Sequence, residues 1–397
     1  MAAESRRRLV FPGVLFVALV VRLIVAVAFH GSIDVGLQIM HGELILAGEP
    51  AWTSKLPIGN YLPAAMHWIA LHWGVPAPVA QKLPAILADL LAAFLLYRIA
   101  NRQERDRPWI WPAVYLLNPL TVMLSAYHAN VDGLMAAAIL WALDLRSRDR
   151  PVLAGIGAGS AILMKPTALL ALPVLMLPLS RRRNWILGGA ALVFSIAICA
   201  PFAWLDPAFG RFLSTYSGPY GNWGVSYGLR QLEYIAESVP GLSPEIAHGL
   251  GAVNTFLAEN SQIFVATLMA AWLLYLLRWR LEGFDENARG LASTFLWFYI
   301  ITTGFGVQYL SLAFPFILIV STRLGAVDVV ALSPHVFDTY VQVAGDDVAR
   351  AVAVLLTSEG AGGLALGVVR GLAVLLAWLA CVWILWRLVR TRQASSA

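Results

Sequence analysis

Apolar runs long enough to cross a membrane alternate along this chain with tight groups of arginine, and that alternation leaves few folds open. The runs fall at residues 9–29, 79–100, 109–127, 129–146, 184–204, 258–279 and about 364–388. As a helix, a stretch of roughly 20 residues matches the hydrocarbon thickness of a bilayer. The runs do not alternate residue by residue as barrel strands do, and a helix satisfies its own backbone where no water is present. Only 13% of the 397 residues are charged and 59% are hydrophobic. A soluble domain of this size could not screen that much apolar surface, so the chain reads as an all-α, polytopic membrane protein. Residues 9–29 are too long for a signal peptide and lack a small-residue cleavage site, so they read as a first span.

The net charge of +5 does not point to nucleic acid. Nineteen of the 28 lysines and arginines lie in six groups, at 6–8, 98–107, 146–150, 181–183, 278–289 and 387–392. Each group abuts the end of an apolar run, which is the positive-inside pattern. Placing all six in the cytoplasm puts both termini there and leaves three segments outside. The first is 30–78, with an amphipathic stretch at 35–48 and a short interfacial helix at 61–74. The second is 205–257 and the third is 323–363, which carries Asp328, Asp338, Asp346, Asp347 and Glu359. Residues 151–180 break at Lys165-Pro166 and form a re-entrant hairpin, because two full spans do not fit. Residues 289–322 make a net outward crossing with a break near 304–309. The whole chain, 1–397, is then one domain of about ten transmembrane or re-entrant helices. Cys199 and Cys381 lie far apart in apolar runs, without metal spacing, and read as packing residues.

Asp34 stands just beyond the first span, where a carboxylate can act as a general base toward a lipid-borne substrate or cap the helix that follows. Lys55 and Lys82 are placed to face an anionic leaving group. Glu43 and Glu49 read as water-facing residues of an interfacial helix. Arg22 and Asp89 lie at similar depth on adjacent antiparallel spans and read as a structural ion pair; Lys165, deep in the fold, has no evident local partner. In the turn at 127–133, Asp132 either caps the returning helix or meets substrate. The second external segment carries Tyr216, Tyr220, Trp223, Tyr227 and Tyr234 with Arg211 and Arg230. Those rings suit either a sugar face or a membrane-interface belt, and the arginines suit phosphate. Common nucleotide and zinc signatures are absent from the sequence, which disfavours an ATP-driven pump.

Four segments together resemble the GT-C class of integral membrane glycosyltransferases, with bacterial mannosyltransferase-like members and GPI-assembly mannosyltransferases as nearest kin. They are KLPAILADLLAAFLLYRI (82–99), YLLNPLTVMLSAYHANVDGL (115–134), LAGIGAGSAILMKPTALLALP (153–173) and Gln308-Tyr309 followed by Pro315. The resemblance implies a GT-C-like bundle, a polyprenyl-phosphate-sugar donor, an extracytoplasmic active site and inversion at the anomeric carbon. It assigns the base to Asp34. It also assigns an Asn-x-Asp turn to Asn130 and Asp132, beside His128, a re-entrant lysine to Lys165, and a late Gln-Tyr pair to Gln308 and Tyr309. The sequence departs from the GPI-assembly pattern in one respect. Ser32 and Gly36 flank Asp34 where that pattern has a second acidic residue, so a single-carboxylate mechanism is favoured over a metal-assisted one. Its Tyr-Pro-Pro is here Tyr61-Leu62-Pro63.

The expected activity is transfer of a hexose, mannose by resemblance, to a lipid or cell-envelope glycan. Lys55, Lys82, Lys165, Arg211 and Arg230 are the candidates for donor phosphate. His128, Asn130, Asp132, Tyr220, Trp223, Gln308 and Tyr309 are the candidates for substrate contact. No metal or other cofactor is assigned. The alternative is a transporter or lipid flippase, whose mark would be a charged midplane path with repeat symmetry; no clear inverted repeat is visible.

Overall fold

The protein is described by a computed structural model covering residues 2–49, 52, 55–210, 223–238, 244–279, 281–342 and 361–396. Among these residues the regular structure is helical, and an isolated β-bridge joins Trp223 and Phe305. Arg211 and Tyr220 lie outside the described residues.

Helix α1 (Ala2–Ala28) packs on α4 (Ala77–Arg102). Between them run α2 (Ile33–Leu46) and α3 (Pro57–Trp73), in the segment expected to carry interfacial helices. Among the described residues, four helical segments are long and apolar enough to cross a membrane: Val10–Ala28, Ala77–Arg102, Arg182–Leu205 and Val368–Arg392. They leave large apolar side chains such as Phe16, Val27, Val193 and Leu376 exposed. Water would not tolerate such faces, whereas lipid matches them. Two further apolar segments, among the described residues, are helix pairs bent at a short break. One joins α5 (Ile110–Leu116) to α6 (Pro119–Val122) and a π-helical turn at Met123–Tyr127.

The centre of the bundle is α7 (Asp132–Ser147), whose Met135, Ala136, Ile139, Leu140 and Leu143 are all buried. Next to it, α8 (Pro151–Met164) lies close to α10 (Arg182–Leu205). Glycines make that approach possible. A Cβ on Gly155 would stand 2.5 Å from the Leu187 carbonyl, and one on Gly159 would stand 2.9 Å from that of Ala191. This is the small-xxx-small packing by which membrane helices associate without a hydrophobic driving force. The expected break at Lys165-Pro166 is present. A 3-10 turn (Pro166–Leu170) and α9 (Ala171–Met176) follow it.

Ion pairs draw most of the basic groups to one end of the bundle. Arg98 and Arg102 meet Asp144, Arg183 meets Asp149, Arg181 meets Glu282, and Arg392 meets Glu286. Asp34 lies at the opposite end, beside His128.

The later part of the chain differs from expectation. Helices α11 (Val225–Ser238) and α12 (Pro244–Glu259) fall in the expected second external segment. Residues Glu245–Glu259, however, join α13 (Ser261–Leu277) as a bent pair that could form one span. Helix α14 (Phe284–Ile301) leaves the arginine-rich end, and residues 302–311 turn at the far end. The short α15 (Phe314–Val320) then returns, so that Ser321 and Thr322 share a cavity wall with Arg105 and Arg107. Residues 289–322 therefore form a there-and-back hairpin rather than a net crossing. Helix α16 (Thr322–Gln342) runs from the arginine-rich end to the Asp34 end, where Tyr340 packs on His128. Its acidic residues do not mark a wholly external segment. Asp338 pairs with Arg370 at 3.0 Å on α17 (Ala361–Ser396), and Asp328 is buried. Asp346, Asp347 and Glu359 lie outside the described residues.

Candidate active site

The site is built where the link between α1 and α2 crosses the turn into α7. Gly31 has φ +108°, and a Cβ there would lie 2.4 Å from the Tyr127 carbonyl. Only glycine accepts both that conformation and that approach. Lys82, fully buried on α4, donates to the carbonyls of Ala26 (3.0 Å) and Phe29 (2.6 Å). A cation on the free carbonyls of a helix C-terminus is a stabilising arrangement. Lys82 thus anchors the link that carries Asp34, and it is removed from the candidates for donor phosphate.

Asp34 lies in the first turn of α2, but its carboxylate does not cap that helix. Its Oδ2 sits 3.0 Å from Nε2 of His128, and the side chain remains 41% exposed. The other ring nitrogen of His128 shares a 2.6 Å hydrogen bond with Ser32 Oγ. Ser32 and Tyr340 thereby fix the ring that holds Asp34. A second tie comes from Gln38, whose amide donates to the Ala129 carbonyl at 3.1 Å. His128 owes its position to irregular backbone on both sides. A π-helical turn precedes it and Ala129 follows at φ +57°. Both features are uncommon in ordinary packing and recur at functional sites.

Burial pushes the Asp34 carboxyl up. The His128 hydrogen bond and the charges of His128, Lys55 and Lys165 outweigh it, and Asp34 titrates below the ordinary carboxylate value. Lys55 responds in the opposite sense. Burial and repulsion from Lys165 bring it down to about 8, against the attraction of Asp132 and Asp34. The loop bearing Lys55 is seated by a bond from the Leu56 amide to the Met164 carbonyl, at the break in the re-entrant hairpin.

Pro166 accounts for Lys165. A residue before proline is driven into extended backbone, and Lys165 has φ −151°, ψ 143°. The helix stops there and the side chain leaves it. Its Nζ lies 2.7 Å from Asp132 Oδ1 and 4.3 Å from the centre of the Tyr309 ring. Lys165 therefore does have a partner, 33 residues back in the chain. Asp132 is fully buried and does not cap α7. Asn130 takes over the turn instead, accepting from the Asp132 amide at 3.1 Å and donating to Asp132 Oδ2 at 3.0 Å.

The remaining candidates separate. Trp223 is fully buried, donates to the Tyr299 carbonyl at 2.9 Å and bridges to Phe305, so it braces the turn at 302–306 and does not present a sugar-stacking face. Arg230 lies over the Tyr227 ring on α11. Gln308 folds back on Gly306, and its neighbour Tyr309 is held through its carbonyl by the Tyr299 hydroxyl at 2.6 Å. Glu43 and Glu49 are exposed, as expected. Sequence reasoning missed Ser32 and Tyr340, neither of which carries a local motif. Among the described residues no three His, Cys, Asp or Glu side chains converge.

The chain is 31% identical over 121 residues to GPI mannosyltransferase 1 of Eremothecium gossypii, covering 30% of this chain. It spans only 28% of that relative's length. A structure search finds ArnT from Cupriavidus metallidurans, solved bound to undecaprenyl phosphate. The match has 17% identity and a TM-score of 0.44 over 96% of this chain and 78% of that one. The family model for glycosyltransferase family 87 matches residues 61–302, which take in His128, Asn130, Asp132 and Lys165 but not Asp34 or Lys55. That match covers more than half of the sequence, and the chain belongs to glycosyltransferase family 87.

Proposed function

We propose that this glycosyltransferase moves a hexose, mannose in the first instance, from a polyprenyl-phosphate donor to a hydroxyl of a lipid or cell-envelope glycan. One observation carries the reading: a half-exposed carboxylate, Asp34, shares its field with two ammonium groups, Lys55 and Lys165. A base for the incoming hydroxyl and charge for the departing phosphate are the two things the reaction needs. Similarity to a GPI mannosyltransferase supports the choice of mannose.

In this mechanism the acceptor oxygen attacks the anomeric carbon while its proton passes to Asp34. The new C–O bond forms opposite the breaking bond to phosphate, the leaving oxygen keeps the electron pair, and configuration inverts. Lys55 faces the phosphate. Lys165, locked between Asp132 and Tyr309, adds positive potential behind it. His128 holds Asp34 in place. Holding base and anion site in register contributes more than either contact alone. The positive-inside pattern supports a reading with the Asp34 end outside the cytoplasm and both termini inside.

The test is transfer by purified protein in liposomes, using radiolabelled polyprenyl-phosphate mannose and, separately, glucose, with extracted membrane lipid as acceptor. Label should move to lipid from one of the two donors. Absence of transfer from both, by protein that is folded and correctly inserted, removes the donor assignment.

A further inference from the structure

At the end opposite Asp34, arginines do more than mark the cytoplasmic side. Four connections converge there: the end of α4, the end of α7, the turn between α9 and α10, and the loop into α14. Between them lies a cavity of about 290 Å³ whose wall includes Arg102, Arg146, Arg181, Arg183, Asp149 and Phe284. Arginines serving only the positive-inside bias would extend separately into water, yet these four turn toward one space.

The local charge is unbalanced. Asp144 is shared by Arg98, Arg102 and Arg148, Asp149 holds Arg183, and Glu282 holds Arg181 at 3.4 Å. With Arg146 included, six guanidiniums face three carboxylates. Among the described residues, Arg146 pairs with none of these carboxylates. One nitrogen donates to the Leu177 carbonyl, while its Nε is buried with no hydrogen-bond partner. A guanidinium carries five N–H donors, and one bond to a carbonyl leaves Arg146 with donor capacity for an anion.

We propose that this cavity is a second anion site, which binds a phosphate group between Arg146, Arg181 and Arg183. Guanidinium forks match phosphate oxygens in pairs, and charge-assisted bonds of this kind are the strong ones. Phe284 supplies an apolar wall beside the anion. The phosphate can belong to an anionic phospholipid headgroup or to a soluble phosphate ester, and the same geometry serves either. The site is independent of the transfer chemistry at the other end.

Native mass spectrometry of the full chain, extracted from mixed phosphatidylglycerol and phosphatidylcholine, tests this directly. The wild type should retain phosphatidylglycerol in preference to phosphatidylcholine, and Arg146→Gln should lower that retention roughly tenfold, the effect of one charge-assisted bond. Because Arg146 also holds Leu177, Arg183→Gln on the exposed rim serves as a second variant and should give a smaller loss. Pyrophosphate added in solution identifies the source. Displacement of the lipid assigns the site to phosphate from either side, and retention despite pyrophosphate assigns it to a headgroup. Arg105→Gln, at the same end but outside this cavity, should leave retention unchanged. Equal loss in Arg105→Gln, or no preference for phosphatidylglycerol and no pyrophosphate binding, overturns the proposal.

Discussion

Two groups of charge in this bundle, one around Arg22 and one around Asp34, are completed in opposite ways. Around Arg22 every direction is answered. Its nitrogens donate to Asp89 at 2.9 and 3.1 Å, to Leu116 O at 2.8 Å, to Thr121 at 3.1 Å and to Ser125 at 3.2 Å. Tyr115 donates to the other oxygen of Asp89 at 3.1 Å. Around Asp34 the answers are partial: one oxygen meets His128, the side chain is 41% exposed, and Lys55 is destabilised as a cation. Both groups hold opposite charges in a membrane protein, so charge alone does not identify a site. Incomplete satisfaction does. A closed network fixes helices to one another, whereas an open one leaves capacity for a ligand.

Asp34→Asn should produce the largest effect. An amide keeps the shape and the contact with His128 but cannot take the acceptor proton, so kcat should fall by about 10²–10⁴-fold. Melting temperature should stay within a few degrees of wild type. Near-normal turnover would exclude Asp34 as the base and place the chemistry elsewhere.

Arg22→Leu should act on the other side of the comparison. It leaves Asp89 buried without its counter-charge, a loss on the order of 3–5 kcal/mol in stability. Protein that remains folded should turn over at a normal rate. The double variant Arg22→Leu/Asp89→Leu should regain much of the loss, because no charge is left buried. A fall in kcat in folded Arg22→Leu protein would break the distinction between the two groups.

Lys55 sharpens the distinction through pH. With its ammonium titrating at about 8, the free enzyme loses a cation above that pH, and kcat/KM for the donor should decline on an alkaline limb near 8. Lys55→Arg should keep donor binding and remove the limb, since arginine stays charged. Lys55→Gln should raise donor KM roughly tenfold or more, the loss of one charge-assisted contact. Stability carries the same signature with the sign reversed. The folded value lies below the unfolded 10.5, so the unfolded chain binds more protons between about 8 and 10.5. Wild-type stability should therefore rise with pH across that window, and Lys55→Gln should flatten the rise. An alkaline limb unchanged in Lys55→Arg would assign it to another group.

Much of the closed network was legible in sequence, because Arg22 and Asp89 interrupt apolar runs of similar register on neighbouring spans. The break at Lys165 was legible too, since proline dictates the backbone before it. The open site was legible only in outline. Position after the first span singled out Asp34, yet the groups that tune it come from 94 residues on, at His128, and from α16, at Tyr340. Lys82 resembled Lys55 in sequence, both being rare lysines near the same loop. Only the path of the chain shows that one closes a helix end while the other remains open. The return through α15 and the outward run of α16 were missed because seven apolar residues are too few to register as a return and because Asp328 and Asp338 suggested water.

The smallest expected effect tests how far His128 belongs to the site and how far to the packing around it. His128→Phe keeps a ring against Tyr340 and loses both the Asp34 and the Ser32 bonds. Without the His128 contact, burial is opposed only by Lys55 and Lys165, so the Asp34 carboxyl should titrate higher than in wild type. The acid limb of kcat/KM should accordingly move to higher pH. The stability that ionised Asp34 contributes, present above its unfolded value and lost as pH falls through the folded one, should vanish at a higher pH as well. With the carboxylate itself retained, kcat at neutral pH should drop by about tenfold or less, roughly 1.4 kcal/mol of lost positioning. A displaced acid limb with a small loss in kcat makes His128 a positioning residue. A loss as large as that of Asp34→Asn, with the limb unmoved, would mean that the imidazole itself handles the proton and that the carboxylate serves the histidine.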